Sequence, residues 1–94
     1  MWRIKENVSL DYLSQAWCQF LVLLQEPLIR ANERIDNIHY LNQYIINCGE
    51  DFIKTKGDNR KRFNYRTEIK DNKIFVYDNL RENDKCMFEF IKSK

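Results

Sequence analysis

The sequence contains little glycine and proline, with two and one among its 94 residues. This scarcity, together with 44% apolar and 14% aromatic residues, excludes a disordered chain and predicts a folded one. At this length we expect one domain over residues 1–94, with a single core that buries roughly 60 to 65% of the unfolded chain's surface. Such a domain has room for one site at most and none for a separate substrate domain.

Cysteine is also scarce, and its three positions are odd in number, widely spaced and close to apolar neighbours: Cys18, Cys48 and Cys86. This pattern predicts reduced thiols packed in a core, and the chain has no C-x-x-C pair that could bind zinc. The acidic residues lack the Asp-x-Asp or histidine partners that cations need. We therefore expect neither a metal nor another cofactor.

Long apolar runs are missing as well. The most hydrophobic stretch, residues 16–24, is less than half of the about 20 residues that a membrane helix needs. Glu6 and Asp11 precede this stretch and no small-residue cleavage site follows it, which argues against a secretory signal. We expect a cytoplasmic protein that does not associate with membranes.

What the sequence does contain is segregated charge. Residues 1–53 carry 4 Lys/Arg against 7 Asp/Glu, and residues 54–94 carry 12 against 7, so net charges of −3 and +5 make up the total of +2. A nearly neutral total therefore conceals a dipolar molecule, which favours a binding protein.

Apolar residues recur at helical spacing in the first half of the chain. Ser9 is a good N-cap for a first helix over residues 10–25. The second half of this helix is apolar nearly all round, so it lies centrally in the fold or is covered by a partner subunit. A homodimer through residues 10–25 stays open on these grounds.

A second helix is predicted over residues 28–55, because Pro27 is tolerated only in a first turn and places a break at Gln25 and Glu26. Gly49 costs this helix about 1 kcal/mol relative to alanine. Its apolar stripe consists of Ala31, Ile35, Ile38, Leu41, Ile45, Cys48 and Phe52.

The pattern changes to an alternation of period two in the last third. Strands are predicted over residues 63–70, 73–78 and 86–92, with Asp71-Asn72 as the first turn. Residues 1–5 could form a further strand or an arm, but the alternation there is short. The predicted fold class is α+β, with two N-terminal helices packed on a C-terminal three-stranded antiparallel meander, and a mostly helical bundle is the alternative.

A basic loop with aromatic residues behind it is the first candidate site. Cations attract phosphates and exposed aromatic rings stack on unpaired bases, so this composition suits single-stranded nucleic acid. Equally, the loop is solvated and Phe63 and Tyr65 belong to the core or to a sheet face. The candidate polyanion-binding residues are Lys54, Lys56, Arg60, Lys61, Arg62, Tyr65 and Arg66.

A second candidate is the spacing of Arg34 and His39, which resembles the R-x4-H signature of HEPN-type ribonucleases. The resemblance implies that the arginine holds phosphate and the histidine serves acid–base chemistry at a dimer interface. His39 is the only side chain whose unperturbed pKa lies near neutrality. The competing interpretation is a surface arginine and a half-buried histidine.

A further resemblance lies in two segments, residues 47–52 (NCGEDF) and residues 68–72 (EIKDN). Together they resemble a stretch of the colicin D immunity proteins, over residues 47–72 only. The resemblance implies a small, cytoplasmic, mostly helical inhibitor that presents acidic side chains to the basic active-site surface of a tRNA-cleaving toxin. Within the matched segments the acidic residues are Glu50, Asp51, Glu68 and Asp71.

The acidic residues also form a candidate partner-binding face, where charge governs association rate and specificity. This face comprises Glu33, Asp36, Glu50, Asp51, Glu68 and Asp71. No nucleophile, metal set or phosphate-binding loop is present, so we do not expect an enzyme.

The function that we predict is therefore a protein-binding inhibitor or regulator, of the immunity, antitoxin or anti-defence type. It acts by stoichiometric occlusion of a protein partner. A basic RNA- or DNA-binding module that uses residues 54–66 is the alternative, and a small metal-independent ribonuclease is the third hypothesis.

Overall fold

The computed structural model describes residues 1–34, 37–55, 63–81 and 85–92. Among these residues, three α-helices pack on one face of a four-stranded antiparallel sheet of order β1-β4-β3-β2. In chain order the elements are β1 (Trp2–Glu6), a short 3-10 helix (Leu10–Tyr12), α1 (Gln15–Leu23), α2 (Gln25–Arg34), α3 (Ile38–Thr55), β2 (Tyr65–Lys70), β3 (Lys73–Asp78) and β4 (Lys85–Lys92). The predicted α+β class is confirmed.

The sheet has four strands, one more than the predicted three-stranded meander. β1 pairs antiparallel with β4 from Trp2 opposite Lys92 to Glu6 opposite Phe88. On its other edge the Trp2 N–H donates to Asn32 Oδ1 at 2.6 Å, and Asn32 Nδ2 donates to the Trp2 carbonyl at 3.1 Å. The short alternation becomes a strand because β4 on one side and the α2 carboxamide on the other satisfy its backbone.

The predicted hairpin is confirmed. Asp71 and Asn72 adopt positive φ values of 56° and 61°, the geometry of the two-residue turns that match the twist of antiparallel strands. β3 follows as a strand, so the helical-bundle alternative is wrong. A register shift between Val76 and Tyr77 interrupts the pairing of β3 with β4.

The first helix begins later than the sequence predicted. Ser14, not Ser9, caps α1, and its hydroxyl accepts from the Trp17 N–H at 3.3 Å. Ser9 instead precedes the 3-10 helix, where its carbonyl accepts from the Tyr12 N–H at 2.9 Å. Both serines can cap a helix, and the burial of Trp17 at 3% exposure favours the later start.

The second predicted helix, over residues 28–55, is in fact two. The break predicted at Gln25 and Glu26 in fact lies at Leu24, since α1 ends at Leu23 and both Gln25 and Glu26 belong to α2. A second break precedes α3, where Asn37 Oδ1 accepts from the His39 N–H at 2.8 Å and so satisfies the new N-terminus. The apolar stripe hides this break because its three- and four-residue steps continue across it.

Aromatic rings dominate the core between the helices and the sheet. Phe20 contacts Phe52 with ring centroids 5.5 Å apart, and Trp17 contacts Phe88 at 5.7 Å. Ile45 and Phe52 are buried as the helical stripe predicts, whereas Ile38 is half-buried. Within the described ranges, the helices lack the combination of length and apolar character that a membrane crossing requires.

Candidate functional site

The predicted acidic face is divided between two layers of the fold. Glu33 lies on α2, and Glu50 and Asp51 lie on α3, all of them exposed. Glu68 belongs to β2 and its side chain points away from the helices, while Asp71 is in the β2–β3 turn. Asp36 is outside the described residues. The structure therefore does not bring these acids together on one surface.

The predicted polyanion site falls largely outside the described residues, which exclude Lys56, Arg60, Lys61 and Arg62. Of the other members, Lys54 is exposed in the last turn of α3. Tyr65 is half-buried, and its hydroxyl donates to the Ile46 carbonyl of α3 at 3.0 Å. Arg66 lies on the opposite sheet face from Tyr65, because successive strand residues alternate.

The aromatic residue in front of this strand is a core residue. Phe63 is 7% exposed, and its ring lies 4.8 Å from Trp17 and 5.1 Å from Phe52. The Phe63 ring therefore packs against α1 and α3 and is not available to stack on a base.

Arg34 and His39 lie on different helices. Arg34 is the last residue of α2 and His39 is in the first turn of α3, where its side chain is exposed. The single helix predicted over residues 28–55 is therefore divided between these two residues, and the expectation of a half-buried histidine is wrong. The Arg34 side chain is outside the described part of the structure.

A groove lies between the α1–α2 junction and α3. We call it the helical groove. Its volume is about 350 Å³, and it is lined by Leu23, Glu26, Pro27, Tyr44, Asn47, Cys48, Asp51 and Phe52. Only Leu24 separates α1 from α2, and both helices contact α3.

Two apolar side chains that line the helical groove are exposed to solvent. Leu23 is 42% exposed and Tyr44 is 46% exposed. Val22 beside Leu23, and Tyr40 one helical turn before Tyr44, are also exposed. Leu23 and Tyr44 thus give the helical groove an exposed apolar lining, and large exposed apolar patches are common at interaction sites.

Two carboxylates on facing helices give the helical groove its charge. Glu26 comes from α2 and Asp51 from α3, and both line the cavity. Cys48 also lines the groove. Burial raises the pKa of its thiol to about 11, and the negative charges of Glu26 and Asp51 contribute to the same shift. The Cys48 thiol is therefore protonated near neutrality and is a poor nucleophile.

A second cavity of about 380 Å³ lies at the N-terminus of α1 and includes Trp17, Phe63, Asp78 and Arg81 in its lining. Asp78 is buried, and its carboxylate accepts from the Leu80 N–H at 2.9 Å and pairs with Arg81 at 3.4 Å. Arg81 also donates to the Tyr12 carbonyl at 3.3 Å. The Asp78 carboxylate and the Arg81 guanidinium thus bind each other and nearby backbone groups, and these contacts stabilise the end of β3.

Sequence reasoning missed Glu26 and Tyr44 as site residues. A signal was available for Tyr44, since Tyr40 and Tyr44 are spaced by one helical turn and lie off the apolar stripe of α3. No sequence pattern pairs Glu26 with Asp51, because that proximity depends on how α2 packs against α3.

Among the described residues, His, Cys, Asp and Glu side chains form no group of three or more that could hold a metal ion. The chain matches no protein-family model, no curated protein and no solved structure.

Proposed function

We propose that this protein binds a basic protein partner through the helical groove and acts by occupying that partner's surface, as an inhibitor or regulator without turnover. The observation that carries the proposal is that the exposed apolar side chains of Leu23 and Tyr44 line the same groove as the carboxylates of Glu26 and Asp51. This combination suits a lysine- or arginine-rich surface that projects a long apolar or aromatic side chain.

Affinity and selectivity come from different parts of the groove. Complete burial of the exposed portions of Leu23 and Tyr44 contributes on the order of 1 kcal/mol each, because apolar burial is worth about 25 cal/mol per Å². Glu26 and Asp51 attract cations during encounter and disfavour acidic competitors. A partner with both features fits better than one with either alone.

The resemblance to colicin D immunity proteins implies the same class of action, although the mostly helical fold that it also implies is not the fold of this chain. Glu50 and Asp51 lie within the matched segments, and both are exposed on α3. Glu68 is also matched, but it faces the other side of the sheet. The proposed partner therefore meets the helical layer, with Asp51 as the matched acid inside the groove.

The test compares groove variants with a variant elsewhere. Tagged wild-type protein is used to isolate a basic protein, whose affinity and stoichiometry are then measured by titration calorimetry. Leu23→Asp and Tyr44→Asp should each weaken binding at least tenfold, about 1.4 kcal/mol. Tyr12→Asp is the matched control, because Tyr12 is 77% exposed and outside the groove, and it should leave the affinity unchanged.

Charge and catalysis are tested separately. Neutralising Glu26 and Asp51 together, as Glu26→Gln with Asp51→Asn, should slow association and reduce its dependence on salt. The effect on the partner should saturate at a fixed stoichiometry and survive His39→Ala, because a binder transfers no proton. Retention of the partner by both Leu23→Asp and Tyr44→Asp, or metal-independent RNA cleavage that His39→Ala abolishes, would contradict the proposal.

A further inference from the structure

The sheet face opposite the helices carries two adjacent aromatic side chains on a central strand. β3 lies between β2 and β4, and its residues Ile74, Val76 and Asp78 are buried toward the helices. Phe75 and Tyr77 alternate with them and so point to the other side, where both are partly exposed. We call this side the open sheet face, since the described helices all pack on the opposite one.

The two rings stand side by side with a defined spacing. The ring centroids of Phe75 and Tyr77 are 6.3 Å apart and their planes are inclined by 32°. Successive bases along one strand of a duplex are displaced by only about 3.4 Å along the helix axis. Two neighbouring bases that use both rings must therefore be spread apart, which an unpaired, extended strand allows and a duplex does not.

Arg66 enlarges this aromatic surface and is held in place by its neighbours. Its guanidinium lies 4.3 Å from the Tyr77 ring centroid, and it donates to Asn79 Oδ1 at 2.6 Å. Glu68 pairs with it at 3.5 Å, and Asn79 is itself held by Asn64 Oδ1 at 3.0 Å. A guanidinium held over the Tyr77 ring covers one face of that ring, and its own outer face can stack on a base in place of that tyrosine face.

Cations surround the rings on the same face. Strand alternation places these charged side chains there: the cations Arg3, Lys5, Arg66, Lys70 and Lys73 and the carboxylates Glu68 and Glu89. Glu89 is 12% exposed in its side chain and is bonded to Asn7 Nδ2 at 2.8 Å and paired with Lys5 at 3.9 Å. The exposed charge of the face is thus predominantly positive, which is complementary to phosphate.

We infer that the open sheet face binds single-stranded nucleic acid, with bases stacked on Phe75 and Tyr77 and phosphates on the surrounding cations. The site is distinct from the helical groove, and of the predicted polyanion-binding residues it includes only Arg66. A protein carrying both surfaces links a protein partner on one layer to a nucleic acid on the other.

The test uses a labelled single strand of about 12 nucleotides, within the 4–16 nucleotides that one such module covers, and the matching duplex. Fluorescence anisotropy at low salt should show preference for the single strand. Phe75→Leu and Tyr77→Leu should each weaken binding about tenfold, the usual effect of removing one stacking ring. Tyr77→Phe keeps the ring and should keep the affinity within about twofold.

Two further variants separate stacking from charge and from the other surface. Arg3→Gln with Lys5→Gln should reduce the log–log salt slope by about 1.4, since each phosphate contact on a single strand contributes about 0.7. The change in salt slope tests the phosphate contacts of this face even where Phe75→Leu or Tyr77→Leu fails to fold. Tyr44→Leu removes an exposed ring from the helical groove and should leave oligonucleotide binding unchanged, whatever it does to a protein partner.

Three results would overturn the inference. The first is no affinity of the wild-type protein for the single strand at low salt. The second is equal affinity for single strand and duplex that neither Phe75→Leu nor Tyr77→Leu alters, which indicates attraction to polyanions alone. The third is a sedimentation change with Phe75→Leu, or loss of a bound protein, which assigns the face to a second copy or to a protein partner.

Discussion

Gly49 of α3 and Tyr65 of β2 pack so closely that no side chain fits between them. A Cβ atom at Gly49 would overlap the Oη, Cζ and Cε1 atoms of Tyr65. The tyrosine hydroxyl reaches past the glycine and donates to the Ile46 carbonyl at 3.0 Å. This contact joins the helix to the edge strand, and it explains why a residue with poor helix propensity occupies the middle of α3.

Gly49→Ala should destabilise the protein by about 1 to 3 kcal/mol, because overpacking exceeds the gain of about 1 kcal/mol in helix propensity. In a Tyr65→Ala background the same change should become neutral or stabilising. Urea unfolding of both single variants and the double variant measures the coupling. Asn47→Ala, at an exposed position of the same helix, is the control, and additive effects at Gly49 and Tyr65 would contradict the prediction.

Alkaline pH should weaken the fold through Tyr65. Burial, with the negative charge of Glu50 and the Cys48 thiol as smaller causes, raises the Tyr65 pKa from 10.0 to about 12. The unfolded chain then loses its proton first, so the stabilisation is complete below pH 10 and is lost as the pH rises toward 12. The free energy of unfolding of Tyr65→Phe relative to wild type should increase over this window.

The Tyr65→Phe comparison cancels the other alkaline titrations. The pKa of Cys48 is raised to about 11, and that group is present in both proteins. Urea midpoints measured from pH 9 to pH 12 should converge or cross as the pH rises. Parallel curves for the two proteins would show that the Tyr65 hydroxyl titrates as an exposed phenol.

Phe52→Ala should lower the free energy of unfolding by about 3 to 5 kcal/mol, as expected for a large core ring. Phe52 is 2% exposed and lies between Phe20 and Phe63. Ile53→Ala is the matched control, because Ile53 follows on the same helix and is 40% exposed. Thermal or urea unfolding measures both, and a loss under about 1 kcal/mol at Phe52 would show that the stripe is misassigned.

Asn32→Ala should cost about 1 to 3 kcal/mol, because it leaves the Trp2 N–H and carbonyl without their partner. Asn32→Asp retains the acceptor and loses the donor, so its cost should be intermediate. Glu33→Ala, at the exposed neighbouring position, should change little. Amide hydrogen exchange at Trp2 provides a local readout, and unchanged protection in Asn32→Ala would contradict the edge contact.

The hairpin and the core stripe are the parts of the fold that local signals predict well. Asp71 and Asn72 tolerate positive φ, and the residues on either side alternate, so the turn and its register follow directly. Ile45 and Phe52 are buried because a helix of this periodicity can hide only one face. The break before α3 is different, because the apolar stripe continues across it and only the tertiary structure shows that Asn37 caps a new helix.

The candidate sites are less predictable. The sequence identified acidic and basic residues, but their grouping by segment does not match their grouping in space, as Glu50 and Glu68 lie on opposite layers. Phe75 and Tyr77 appeared in a β-rich run without a face assigned to them. A strand has two faces, and only the packing of the helices shows which one is left open.

The sequence by itself determined the α+β class, the hairpin, the buried stripe of α3 and the separation of charge along the chain. These features depend on residues that are close in the sequence and on the periods of helix and strand. A single segment of the chain carries all of that information. Tertiary structure decided that β1 joins the sheet, that Gly49 faces Tyr65, and that Glu26 and Asp51 line the same groove. Each of these pairs distant residues, and their proximity arises only when apolar surfaces from separate elements are buried together.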